Sequence, residues 1–259
     1  MVRHALLPLL VVPALLLAGC TGRNTPNQES AANTPVQQSM KYDPATVGSI
    51  TGTVTFGGAV PKPVTIDMSA DPACKGQNAS EALAVHDGKL ANVLVHVKNV
   101  SGFSDLVQHP EVVVTQRGCR YAPHVVAVMA GQTVKFVNAD DTMHNIHPMP
   151  RANREWNAAQ ASHAEPLEKK FIAPELMVPV KCNQHPWMKM YVNVMNNSFF
   201  AVTGADGKFD LKGLPPGTYT VEAVHESLGA QQQEITLGNK ENRNVEFTFA
   251  SQKGAAAAK

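Results

Sequence analysis

Met177-Val178-Pro179-Val180-Lys181-Cys182-Asn183-Gln184-His185-Pro186-Trp187-Met188 joins an apolar, strand-like approach to a C-x2-H-x2-M loop. A strand that ends at a cysteine and runs into a tight loop can return His185 and Met188 beside the sulfur. Upstream, Thr133-Val-Lys-Phe-Val-Asn138 alternates as a strand and leads into Ala-Asp-Asp-Thr-Met-His144-Asn-Ile-His147. One imidazole of that second loop, from His144 or His147, completes a set of one thiolate, two imidazoles and one thioether. Soft sulfur with imidazole nitrogen suits copper cycling between Cu(I) and Cu(II). Zinc wants four firm ligands and rarely takes a thioether.

These pieces, with Gly131-Gln-Thr-Val-Lys-Phe-Val-Asn138 and Met143-His144-Asn-Ile-His147, resemble the cupredoxins, the blue type 1 copper proteins of amicyanin/plastocyanin type. The resemblance covers about residues 108–196. It implies a Greek-key β-sandwich holding one type 1 copper on His144, Cys182, His185 and Met188. It implies that the Asn145 backbone N–H bonds the thiolate. His147 is then left behind the ligands or on the surface. His185 would be the ligand at the solvent edge, with Pro186 and Trp187 as an apolar patch for electron transfer. Segment 151–174 has no counterpart in the resemblance.

Outward from this centre, residues 50–249 show no long stretch of period 3.6. Short alternating runs lie at 50–56, 91–97, 112–115, 125–129, 133–137, 177–181, 191–195, 199–203, 218–224, 234–237 and 245–249, between turn signals such as Gly57-Gly58 and Pro215-Pro216-Gly217. The chain therefore reads as all-β. One short helix is possible at 153–161. Ala205-Asp-Gly-Lys-Phe-Asp-Leu211 and Gly213-Leu-Pro-Pro-Gly-Thr-Tyr-Thr-Val221 resemble the carboxypeptidase regulatory-like, prealbumin-type sandwich. Such a module opens on a G-x-V strand, and here that strand is Thr51-Gly-Thr-Val-Thr-Phe56, about 140 residues earlier. This predicts a sandwich split into 48–100 and 197–250 with the cupredoxin, 101–196, inserted in it or adjacent to it. Insertion is easy where loop ends lie close together.

Residues 1–19 carry Arg3, an apolar run and small residues, a signal peptide too short to span a bilayer. They end on Leu17-Ala18-Gly19-Cys20, which resembles the bacterial lipobox and implies cleavage before a lipidated Cys20. Thr21 rather than Asp follows, so the expected location is a periplasm-facing lipoprotein of the outer membrane. Residues 20–47 are polar and Pro-containing, a tether, and 251–259 form a loose tail. With Cys20 given to lipid and Cys182 to copper, Cys74 and Cys119 remain, and an oxidising envelope favours a disulfide between them.

Composition narrows the function. Of 259 residues, Lys+Arg 22 nearly balance Asp+Glu 21 and no basic run occurs, so nucleic acid is not an expected partner. Cys182 is flanked by Lys181 and Asn183, without the adjacent histidine that links two copper centres in multicopper enzymes. Neither H-E-x-x-H nor a Gly-x-Ser-x-Gly elbow occurs. The expectation is a non-enzymatic, lipid-anchored blue-copper protein carrying single electrons to partner proteins in the cell envelope. Two alternatives stay open. One is a copper carrier or store, because seven of the ten methionines lie between Met129 and Met195. The other is a β-sandwich that binds glycan or protein and has a secondary metal site.

Overall fold

The structure is a computed structural model and describes residues 42–75, 79–98, 100, 103 and 108–251. The signal peptide 1–19, Cys20 and its tether through residue 41, and the tail 252–259 lie outside the described residues. The strands are β1 (Gly48–Gly57), β2 (Val85–His86), β3 (Lys89–Leu90), β4 (Leu94–Lys98), β5 (Val112–Gln116), β6 (Tyr121–Ala122), β7 (Val125–Met129), β8 (Thr133–Asn138) and β9 (His144–Pro148). They continue as β10 (Ala158–Gln160), β11 (Leu167–Lys170), β12 (Glu175–Lys181), β13 (Lys189–Met195), β14 (Phe200–Val202), β15 (Lys208–Leu214), β16 (Gly217–His225), β17 (Gly229–Leu237) and β18 (Asn242–Ala250). No helix occurs among the described residues, so the protein is all-β.

Pairing divides the strands by sequence in an unusual way. β1 lies antiparallel to β15 and β3 and parallel to β18, and β2 extends that sheet beyond β3. A facing sheet runs β14-β4-β16-β17. Strands from both ends of the chain thus build one sandwich. Its core joins Ile50, Val54, Val95 and Val97 to Phe209, Val221, Phe247 and Phe249. Strands β5–β13, which lie between β4 and β14 in the chain, form a second sandwich, with sheets β10-β9-β12-β13-β7 and β11-β8-β5-β6. Its core holds Phe136, Ile146, Phe171, Val180 and Val192, and it includes Cys182 and Met188. Each fully buried Val, Leu or Phe adds about 1.5–3 kcal/mol before chain entropy is counted.

Local sequence explains the strands. β1 alternates buried and half-buried positions throughout, with Ile50, Val54 and Phe56 inward. Gly52 is inward too, and a Cβ there would lie 1.9 Å from the Val245 carbonyl oxygen and 2.5 Å from the Phe209 ring. The close parallel approach of β18 therefore requires glycine at this position.

The possible helix at 153–161 does not form. Ala158–Gln160 pairs with β9 instead. The Gln160 amide donates to the Phe136 and Glu165 carbonyls, and the Asn153 side chain holds Ile172 and Ala173 by their backbone N–H groups. These long-range bonds outweigh the weak local preference of a nine-residue segment.

Candidate metal centre

β9 alternates, with His144, Ile146 and Pro148 buried and Asn145 and His147 turned the other way. Asn138, at the end of β8, donates its amide to the Thr142, Gln160 and Ala161 carbonyls and accepts the Asp140 N–H. That clamp shapes the loop delivering His144. β12 and β13 form a hairpin whose loop carries the other three residues. Cys182 N–H donates to the Met188 carbonyl at 3.1 Å, and Met188 N–H donates to the His185 carbonyl at 2.9 Å. Two backbone bonds thus fold the loop back over Cys182.

One ligand atom each from His144, Cys182 and His185 lie within 4.8 Å of one another, and all three residues are buried. The two Nδ1 atoms face each other at 3.0 Å, and His185 Nδ1 lies 3.6 Å from Cys182 Sγ. The Asn145 backbone N–H donates to Cys182 Sγ at 3.3 Å. Met188 is buried in the same core cluster. The Tyr121 hydroxyl donates to the Asn145 carbonyl and fixes the peptide next to that N–H. Burial pushes the Tyr121 phenol above its ordinary range, so it stays a donor. Burial also pushes the His144 imidazole downward, partly opposed by Asp140, leaving it neutral and ready to bind metal at neutral pH.

His147 lies outside this group. Its Nδ1 bonds Asn183 at 3.0 Å and its Nε2 bonds Glu155 at 2.8 Å. Pro186 is exposed. Trp187 is half-buried, its ring 5.3 Å from that of His185 and its Nε1–H donating to the Cys119 carbonyl. Cys74 and Cys119 are joined by a disulfide.

One expectation needs correcting. His185 is not at the solvent edge, being 3% exposed. The segment around Asp71, which lies between β1 and β2 in the other sandwich, covers it. His185 Nε2–H donates to Asp71 Oδ2 at 3.0 Å.

Two carboxylates escape the sequence reading. His144 Nε2–H donates to Asp140 Oδ2 at 2.9 Å. Asp140 also accepts the Gly118 and Cys119 N–H groups, at 2.5 and 2.8 Å. The Thr142 hydroxyl donates to Asp71 Oδ2 at 2.8 Å, and Ala73 N–H donates to Asp71 Oδ1. The Ala73 N–H, followed by Thr142 and His185, holds the Asp71 carboxyl below the usual range. Asp140, four residues before His144, could have been suspected from spacing. Asp71 offers no such signal.

The donor set fits copper. His185 presents Nδ1 to the Cys182 sulfur and His144 presents Nδ1 to that of His185, while each Nε2–H is held by a carboxylate, the arrangement that fixes tautomer and ring orientation at metal sites.

Residues 187–250 match the model of the carboxypeptidase regulatory-like domain. The match begins in the ligand loop and takes in β13, although β13 pairs with β12 and β7 of the inserted sandwich. No curated protein is similar to the chain by sequence. Among solved structures, the chain is similar to the Cu-containing nitrite reductase NirK from Thermus scotoductus SA-01. Identity is 22% over 36% of this chain and 24% of that one, with a TM-score of 0.32. The chain thus spans about a quarter of that protein. A purple cupredoxin from Nitrosopumilus maritimus is 20% identical over 33% of this chain and 100% of its own, with a TM-score of 0.29. A mutant amicyanin in its Cu(I) form is 20% identical over 39% and 98%, with a TM-score of 0.30.

Proposed function

We propose that this chain holds one type 1 copper on His144, Cys182, His185 and Met188 and carries single electrons in the cell envelope, anchored to a membrane by lipid on Cys20. The convergence of His144 Nδ1, His185 Nδ1 and Cys182 Sγ carries this reading. Bound copper supplies the one-electron change. The protein supplies a fixed cage. The Asn145 N–H takes charge from the sulfur, the carboxylates orient the imidazoles, and the apolar core around Cys182 and Met188 excludes water. A site that does not rearrange between oxidation states transfers electrons with little reorganisation.

No acid, base or nucleophile role is assigned to any residue here, and the reading is of a carrier rather than an enzyme. Pro186 with the half-buried Trp187 ring is the patch offered to envelope redox partners, a small surface suited to weak, short-lived encounters. The copper-store alternative would use surface methionines. Met143 is exposed, whereas Met190 and Met195 are buried as packing.

Copper-loaded protein should give a reversible one-electron wave in voltammetry, and fatty-acid labelling should mark the wild type but not Cys20→Ala. A copper-loaded protein without a redox wave would favour storage. Labelling of Cys20→Ala would remove the anchor.

A further inference from the structure

The segment that covers His185 does not belong to the sandwich that carries the other ligands. Asp71 lies between β1 and β2, more than a hundred residues before His185. It is held there from several sides. Asp71 N–H donates to the Met68 carbonyl, and Met68 is itself buried. Cys74 N–H donates to the Asp71 carbonyl, and three residues after Asp71 the disulfide ties the segment to Cys119. Cys119 and Gly118 in turn donate to Asp140, the carboxylate on the other histidine. Further on, Arg120 bonds Glu81 and the Ala79 carbonyl. The two histidine–carboxylate pairs are thus linked through one stapled turn.

Resting on the copper reading above, we propose that Asp71 is a positioning residue of the metal centre. The outer sandwich thereby completes and closes the site of the inserted one, setting both its potential and its resistance to copper loss. A carboxylate bonded to Nε2–H raises the basicity of the ligating imidazole and adds negative charge close to the metal. Both effects favour Cu(II) over Cu(I). The same bond keeps His185 from swinging outward, the motion that would open a path for a competing ligand.

The test uses the full chain loaded with copper, comparing wild type with Asp71→Asn. That variant keeps an acceptor oxygen but loses the charge. Asp67→Asn, on the same segment and exposed, is the control. The variant should keep its visible colour and have a higher midpoint potential. Its Cu(I) should pass to excess bathocuproine disulfonate faster, by up to about 10- to 100-fold, the fall in metal affinity or activity typical of mutating a partner behind a metal-bound histidine. Asp67→Asn should match wild type in both. If Asp71→Asn does not fold, Asp71→Glu should show the faster release with a smaller change in potential. Wild-type potential and release rate in either Asp71 variant would overturn the proposal while leaving the copper site standing. A wild type that develops no colour with Cu(II) would overturn the copper reading and this proposal with it.

Discussion

His144 and His147 stand three positions apart on one strand, and that odd offset decides their chemistry. Side chains on a strand alternate between faces, so β9 buries one histidine and turns out the other. The sequence alone reads this stretch as a loop, and only the resemblance to cupredoxins singles out His144. The partners Asp71 and Asp140 were less legible still. Asp71 meets His185 across 114 positions, which no local spacing reveals. The expectation of an exposed His185 failed for the same reason, because its cover comes from another part of the chain. At Met188 the account makes a residue-scale prediction. Met188→Gln should lower the midpoint potential, since a harder oxygen donor favours Cu(II). If Met190→Gln shifts the potential and Met188→Gln does not, the wrong methionine has been assigned.

Strands with β-branched residues and clear alternation, such as β1 and β8, were readable from sequence, whereas Lys208–Leu214 was not among the expected strands, although Phe209 and Leu211 alternate with Asp210 and Lys212. Nor was the edge strand β10. It has only Ala, Ala and Gln, and its pairing with β9 comes from the register of its neighbours rather than from its own residues. At the element scale, Gly52→Ala tests the parallel junction of β1 with β18. The added methyl meets Val245 and Phe209 and should cost about 1–3 kcal/mol as overpacking, read as a lower urea midpoint. An unchanged midpoint would mean that β18 is not held as closely as the structure has it.

The expectation of a split sandwich came from one distant G-x-V strand and the strand pattern around it; in the structure β1 pairs with both β15 and β18. A disulfide spanning 45 positions reinforces this long-range construction, contributing up to about 4 kcal/mol in the chain-entropy model. Buried histidines impose a pH dependence on the whole molecule. Burial lowers the pKa of His96, on β4, and of His225, on β16, from the ordinary 6.5, with Glu222 opposing the shift at His96. His109 is lowered likewise by burial. The unfolded chain then binds more protons than the folded one below 6.5. The stability from these groups is present above 6.5 and is lost as pH falls through the folded values. The urea midpoint of the copper-free protein should therefore drop between about pH 7.5 and about pH 5.5. A flat or rising midpoint would show that these histidines are not held neutral.

The absorption spectrum after addition of one equivalent of Cu(II) tests the central claim most directly. The thiolate of Cys182, bonded to copper beside His144 and His185, should give an intense visible charge-transfer band. Cys182→Ser should abolish that band while leaving the far-ultraviolet circular dichroism of the β-fold unchanged. A wild type that stays colourless, or a Cys182→Ser protein that keeps the band, would contradict the account.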